Sequence, residues 1–428
     1  MKTSFYDINV DVGQNTLLFN SFSQAFMLMR TERFRQIYTE IGFVEQLLSE
    51  EERNALCKNG FLIDDDVDER ALFLSCRQME RLRKRDYHIV INPTLDCNLG
   101  CWYCYESHKK GSRLSSDLIG HICKHIELKQ KEDRLEKLIV SFFGGEPLLC
   151  TKEVVQIAYF CKKFCHDNKI ELQFDFTTNA TIITETLFSA LEDCTCTFQI
   201  TLDGSKERHD KIRCFKANGR GTYDLIVDNI DKVLSRLPKS SVRIRINYDA
   251  DTLSDIETLI QPISQFAGKN VSVSLHKVWQ ADAEKIELDM AFQFVLQLRR
   301  MGINAILQEF PLGHLICYAD RINSCVINYN GDVFKCTAKD FRSEERCGKL
   351  LSSGVILWDV PKLQAHCFSS IANCCLNCKL LPCCSGFCSK NMMEHREEKK
   401  CLLDHRLSID EIVLMYYYIN KTKPNTTK

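Results

Sequence analysis

Between residue 87 and about residue 301, short apolar runs alternate with longer stretches whose apolar positions recur every three or four residues. Six runs read as strands, at 88–92, 138–143, 172–177, 197–202, 242–248 and 271–278, rich in Ile, Val, Phe and Leu. The stretches at 116–130, 152–168, 184–191, 223–237, 253–266 and 289–301 read as helices. Strand and helix in regular alternation predict a parallel sheet with crossover helices. Six repeats are too few for a closed eightfold barrel, so the expected fold is α/β, a partial (β/α)6 barrel open on one side. In such folds the loops that leave the C-terminal ends of the strands carry the chemistry.

Residues 1–85 follow another pattern. Candidate strands at 5–12 and 16–20 flank a Gly-Gln-Asn turn, and 48–58 reads as a helix with Ser49 and Glu52 at capping-box spacing and Gly60 as its stop. A short strand at 61–63, an acidic run and a basic helix at 71–84 complete a small α+β N-terminal domain. Its outline suits a winged-helix-like peptide-binding module, or simple padding for the barrel. The barrel is expected at 86–302, a cysteine-rich domain at 303–405, and a C-terminal helix and tail at 406–428.

The chain has 428 residues and a formal net charge of −1, which offers no bulk attraction for nucleic acid or a membrane surface, and neither is expected as a partner. The first residues lack the apolar core of a secretory signal, and no run approaches the ~18 apolar residues that span a bilayer. A cytoplasmic location is expected. There, the 24 cysteines meet reducing conditions, in which clustered cysteines are metal ligands rather than disulfides. Three lie between Cys97 and Cys104 and eleven between Cys325 and Cys401, with Cys317 just ahead. Scattered ones such as Cys57, Cys76, Cys123, Cys161 and Cys194 read as small core hydrophobes.

The first group stands in DCNLGCWYCYE, residues 96–106, straight after the first strand. Cys97, Cys101 and Cys104 are spaced to converge on one metal centre and leave one corner without a protein ligand. A cube-shaped iron–sulfur cluster takes four thiolates, so three suggest a cluster with one open iron; a zinc loop is the other reading. Further loops fall on the same rim: Gly144-Gly145-Glu146-Pro147 after the second strand, Thr178-Asn179-Ala180-Thr181 after the third, Asp203-Gly204 after the fourth. Gly144 and Gly145 leave backbone open to close approach, and Glu146 offers a carboxylate to an ammonium group. Thr201 brings a hydroxyl to the rim, and Arg213 suits bidentate clamping of a carboxylate. Those contacts together describe an amino acid joined to a ribose. His209 reads as structural rather than as a general base.

These residues resemble the radical S-adenosylmethionine (radical SAM) superfamily, through CNLGCWYC, FGGEP, TTNAT and TLDGSKERHDKIR. The resemblance implies that Cys97, Cys101 and Cys104 hold a [4Fe–4S] cluster whose free iron is chelated by the amino and carboxylate groups of SAM, with Tyr103 flanking the cofactor. It assigns Gly145 and Glu146 to the methionyl amine, with Gly144 beside them among the cofactor-binding residues, Thr201 to the sugar, where the family often has Ser, and Arg213 to the carboxylate. Asn179 follows the family's Thr-Asn pattern, although Ala180 replaces a common glycine. One electron from the cluster would then break the sulfonium bond to the ribose and leave a 5′-deoxyadenosyl radical.

The C-terminal cysteines resemble the SPASM extension of radical SAM peptide-modifying enzymes, which carries two auxiliary [4Fe–4S] clusters. Carried over by position, Cys317, Cys325, Cys336 and Cys388 hold the first, and Cys375, Cys378, Cys384 and Cys401 the second, so three clusters and SAM are the expected cofactors. Cys374 and Cys383, beside two of these, allow a slip in register, and a pair of zinc ribbons is the alternative. The implied activity is modification of a ribosomally made precursor peptide or protein by cross-linking, thioether formation, oxidation or epimerisation. A low-potential electron donor such as flavodoxin or ferredoxin would be a second partner. An anaerobic sulfatase-maturating enzyme ranks next: that type places an aspartate base directly after the cysteine matching Cys336, where this chain has Thr337, the nearest acid being Asp340. A non-catalytic zinc-bound scaffold is the reading from another class.

Overall fold

The computed structural model describes residues 1–39, 42–254, 256–278, 280, 285–308, 316–338, 341–386, 388–394, 401 and 407–422. They form two compact units, one built from Leu82–Gln308 with Tyr318–Phe368, the other from Met1–Arg81 with the segment ending at Cys317 and Ser369–Thr422.

The first unit is organised by one eleven-stranded sheet. Its strands are β1 (Asp86–Asn92), β2 (Lys137–Phe142), β3 (Glu171–Thr178), β4 (Thr195–Thr201), β5 (Ser240–Tyr248), β6 (Val271–Lys277), β7 (Asn304–Leu307), β8 (Ser324–Asn328), β9 (Asp332–Phe334), β10 (Gly348–Leu350) and β11 (Ile356–Trp358). β1 to β7 lie side by side in chain order and pair in parallel. The six strands expected from the sequence are all present. The seventh follows the helix Lys285–Arg300 and was not foreseen, because four residues carry too short a pattern to register.

The period of two decides what each strand contributes. In β2, Leu138, Val140 and Phe142 are fully buried, and Phe142, Phe176 and Phe198 from three adjacent strands stack at centroid spacings of 5.2 and 4.8 Å. On the other parity, β4 offers Thr197, Gln199 and Thr201, and β5 offers Arg243, Arg245 and Asn247, which face one another in register as Gln199 with Arg243 and Thr201 with Arg245. The sheet therefore has one apolar face and one face that carries polar side chains.

Of the cysteine-rich third, Tyr318–Phe368 groups with the first unit and Ser369–Thr422 with the second. β8 adds to the free edge of β1 in parallel, and β9, β10 and β11 follow as an antiparallel extension. The strand–turn–strand expected in CVINYNGDVFKC is the β8–β9 hairpin, with Gly331 at φ +82 in its turn.

In the other unit, Asp7–Val12, Asn15–Asn20 and Ala25–Arg30 make a three-stranded antiparallel meander. The third strand, AFMLMR, has no alternation and was not expected. The helix Glu50–Lys58 is capped by Ser49 and Glu52 as their spacing predicted, both bonds of the box being present. Leu62–Ile63 pairs with Lys2–Thr3, and the helix Glu69–Arg81 and C-terminal helix Ile409–Lys421 complete the fold.

Candidate active site

The loop after β1 is held by short polar contacts before any ligand is considered. Asp96 accepts from the backbone N–H of Cys97 at 2.9 Å and of Gly111 at 3.0 Å, pinning both ends of the loop. Its far side is fixed to the segment after the helix Lys206–Ile212, where Gly100 N–H donates to the Cys214 carbonyl and Lys216 N–H to that of Asn98. The glycine loop after β2 lies directly against it. Gly145 N–H donates to the Thr94 carbonyl at 3.2 Å and Glu146 N–H to that of Asp96 at 2.8 Å. A Cβ on Gly144 would stand 2.2 Å from the Thr94 carbonyl oxygen, and one on Gly145 would stand 2.2 Å from that of Asp96. The two glycines are thus required by the cysteine loop itself.

Cys97, Cys101, Tyr103, Cys104, Gly144, Gly145, Asn179, Thr201 and Arg213 all line one cavity at the C-terminal ends of the strands. Glu146 lies just behind this wall. Its carboxylate is buried and accepts from Thr178 Oγ1 at 2.6 Å, Asn179 N–H at 2.6 Å and Leu148 N–H at 3.0 Å, so its side chain ties the second rim loop to the third. Asn179 in turn donates to Asn98 Oδ1 at 2.8 Å and approaches Cys97 Sγ at 3.8 Å. Ala180 holds the left-handed φ of +55 that a glycine would adopt freely, supported by Thr178 Oγ1 at its N–H and Asn229 at its carbonyl.

Arg213 and Tyr103 sit in a polar lattice centred on Asp203. The Tyr103 hydroxyl donates to one carboxylate oxygen of Asp203. Asn247 donates to the other, through its backbone at 2.9 Å and its side chain at 3.1 Å. Arg213 Nη1 donates to the Tyr103 hydroxyl at 3.0 Å and lies 3.7 Å from the carboxylate. Burial works against the Arg213 charge, but Tyr103, Cys101 and Asp203 outweigh it and hold the guanidinium above its ordinary value. Its Nε is buried without a hydrogen-bond partner among the described residues, an orphan donor that an anionic ligand group would satisfy. His209 is structural, as expected: it accepts from Asp203 N–H at 3.1 Å and bonds Thr222 Oγ1 at 3.1 Å, which donates to the Arg213 carbonyl at 2.6 Å. Burial pushes its imidazole well below the usual range, matching an acceptor nitrogen.

Burial raises the thiols of Cys97, to about 12, and of Cys101 and Cys104, so metal binding here releases protons. A zinc ion needs its thiolates about 2.3 Å from a single point. Among the described residues no three His, Cys, Asp or Glu side chains meet in that way. A four-iron cluster takes each thiolate on a different iron and suits three cysteines spread along one wall.

The C-terminal cysteines separate by environment. Cys375 is pushed up to about 12 by burial and by Cys374, Cys384 and Cys401, and Cys384 to about 11 by burial, with Cys401 and Cys378 close by. Cys383 turns away, its thiol donating to the Ser21 carbonyl at 3.2 Å. The register thus favours Cys384. The other expected set includes Cys325 and Cys336. In the β8–β9 hairpin Val326 faces Phe334 and Ile327 faces Val333, which places Cys325 and Cys336 just outside the paired positions. Cys325 lies at 3.0 Å from the Tyr87 hydroxyl, and Lys335 feels Cys367, Cys325 and Cys347 together. Cys336 lies near Tyr105, on the cavity side. Cys317 and Cys388 belong to the other unit.

Sequence reasoning missed several polar residues of the cavity, among them Gln199, Arg245, Asn247 and Gln280. The signal was available in RIRIN, residues 243–247, where polar residues alternate with buried isoleucines. A strand covered by helices on one face, yet polar on the other, lines a cavity.

An α/β sheet of parallel strands, with three cysteines and a glycine loop at one rim, is the architecture of a radical SAM domain, and residues 91–262 match the family model described as the radical SAM superfamily. The chain carries that domain. It is 30% identical over 157 residues to the cysteine-type anaerobic sulfatase-maturating enzyme of Clostridium novyi, covering 35% of this chain and 40% of that one. It is 20% identical over 410 residues to the radical SAM cyclopropyl synthase TigE of Paramaledivibacter caminithermalis, covering 84% of this chain and 81% of that one. Among solved structures, anSMEcpe with bound AdoMet shares the fold at a TM-score of 0.57 and 15% identity, over 79% of this chain and 93% of that one. Streptococcus suis SuiB bound to the precursor peptide SuiA does so at 0.50 and 14%, over 92% and 96%. Among the described residues no helix is long and apolar enough to cross a membrane.

Proposed function

We propose that this protein is a radical SAM peptide maturase that acts on a ribosomally made precursor peptide or protein. The observation that carries the reading is the single cavity in which Cys97, Cys101 and Cys104 share a wall with Gly145, Asn179, Thr201 and Arg213. In this reading the three thiolates hold a [4Fe–4S] cluster and Arg213, with its orphan Nε, receives the SAM carboxylate. Held by those thiolates, such a cluster would supply one-electron reduction of SAM, and through it hydrogen abstraction from the substrate. The chain's own residues position that chemistry: Asp203 orients Tyr103 and Arg213, and Glu146 fixes the loops that carry Gly145 and Asn179. The cavity lies at the strand ends, where enclosure protects a reactive centre from water. Cys375, Cys378, Cys384 and Cys401 are proposed to hold an auxiliary cluster, and Cys336 to contribute to another. A peptide substrate is supported by the likeness to SuiB and to sulfatase-maturating enzymes, and a flavodoxin or ferredoxin is the proposed electron donor.

A sulfatase-maturating activity is the second reading, favoured by the match to the Clostridium novyi enzyme. Against it, Thr337 takes the position of the expected base, and its hydroxyl and N–H both bond the Tyr318 hydroxyl, at 3.0 and 2.9 Å. Asp340 lies outside the described residues.

The test is anaerobic reconstitution with measurement of iron, sulfide, zinc and 5′-deoxyadenosine release. About four irons per cluster and release from SAM are expected. Replacing Cys97, Cys101 and Cys104 together by Ala should abolish release while the C-terminal sites keep their iron. Release by that variant would overturn the assignment, and zinc without release would leave a scaffold.

A further inference from the structure

The cavity holds a second guanidinium that the SAM site does not use. Arg245 stands on the inner face of β5, directly opposite Thr201 of β4 in the register. Its Nε donates to Asn247 Oδ1 at 2.8 Å, and Asn247 is itself bound to Asp203, so the planar head is held in a fixed orientation. Among the described residues neither terminal nitrogen of Arg245 has a hydrogen-bond partner, and the side chain lines the cavity. Most of it is out of contact with bulk water, and burial lowers its proton affinity. A half-enclosed guanidinium without a counter-ion is costly to keep. Asp203, the acid whose charge most favours it, is already engaged by Tyr103, Asn247 and Arg213.

Two carboxylates compete for this position, that of SAM and one on the substrate. Arg213 lies close enough to Cys101 and Cys104 for its charge to lower both thiols, which places it beside the metal centre that a SAM carboxylate must reach. The groups that most favour the Arg245 charge are Tyr105 and Asp203, and its register neighbour Thr201 is the residue expected at the ribose. Arg245 therefore looks onto the space beside the sugar, where a substrate atom must come to give up hydrogen.

Resting on the reading of the protein as a radical SAM peptide maturase, we infer that Arg245 is a specificity-determining residue that receives a carboxylate of the substrate peptide in a two-pronged contact. That carboxylate is an Asp or Glu side chain near the modified residue, or the peptide's C-terminus. Two parallel N–H to oxygen bonds match a carboxylate and no other group of a peptide.

The test passes a random heptapeptide library, in free-acid and C-terminally amidated forms, over the reconstituted holoenzyme with SAM, and sequences what is retained. Enrichment of Asp or Glu at one position in both forms assigns a side chain, and enrichment confined to free-acid peptides assigns the C-terminus. Arg245→Gln should reduce retention of the enriched peptides about tenfold or more, and Arg245→Lys should restore part of it. Equal retention by the wild type and Arg245→Gln overturns the inference, as does a library with no acidic preference. SAM affinity is measured on the same samples: its loss in Arg245→Gln with peptide preference unchanged would move Arg245 to the cofactor and overturn the inference too. Failure of the wild type to release 5′-deoxyadenosine is a separate result, and it counts against the maturase reading instead.

Discussion

The Asn179 backbone N–H donates to Glu146 Oε2 at 2.6 Å across 33 residues of chain. This bond joins the loop after β2 to the loop after β3, and the same carboxylate also takes Thr178 Oγ1 and Leu148 N–H. Glu146→Gln offers one acceptor oxygen where two served three donors, and turns an amide NH2 toward one of them. The metal-free protein should lose about 2–4 kcal/mol, measured by urea unfolding under anaerobic conditions. A change below half of that would mean that the loops are not held by this carboxylate.

Gly145→Ala tests the contact between the glycine loop and the cysteine loop. Its Cβ would lie 2.2 Å from the Asp96 carbonyl oxygen and 2.7 Å from that of Leu95, both backbone atoms that cannot rotate away. A cost of about 1–3 kcal/mol is expected from overpacking, together with the loss of about four irons on reconstitution because the Cys97 loop must shift. Normal iron content with an unchanged melting temperature would show that the loops yield easily.

Arg213→Lys keeps the charge and loses the planar fork. The lysine cannot hold Tyr103 and present a second nitrogen to a ligand, so SAM affinity should fall about tenfold or more, measured by equilibrium binding to the reconstituted protein. Unchanged affinity would remove Arg213 from the cofactor site.

His125 supplies a pH dependence. It bonds the Tyr87 hydroxyl at 2.6 Å and the Gly354 carbonyl at 2.8 Å, and burial pushes its imidazole down to about 4. The unfolded chain gains a proton near pH 6.5 that the native state refuses, so the contribution is complete above about 6.5. It falls by about 1.4 kcal/mol per pH unit as pH drops toward the folded value. Urea midpoints of the metal-free protein should decline from pH 6.5 to 5, and His125→Gln should flatten that slope. An identical slope in the variant would place the titration elsewhere.

Much of this molecule was legible in the sequence, because local spacing carries it. Strand and helix periods fixed the order of six barrel strands, the Ser49 and Glu52 spacing fixed a cap, and the motif residues of four loops fell on one rim because parallel strands all end there. The tertiary structure decided what spacing cannot express. Two carboxylates of similar position in their motifs, Glu146 and Asp203, became braces beneath the cavity because backbone and side-chain donors from distant loops reached them first. Arg245 was invisible as a site residue, since a single arginine in an apolar strand has meaning only once the parity of that strand and the face covered by helices are known.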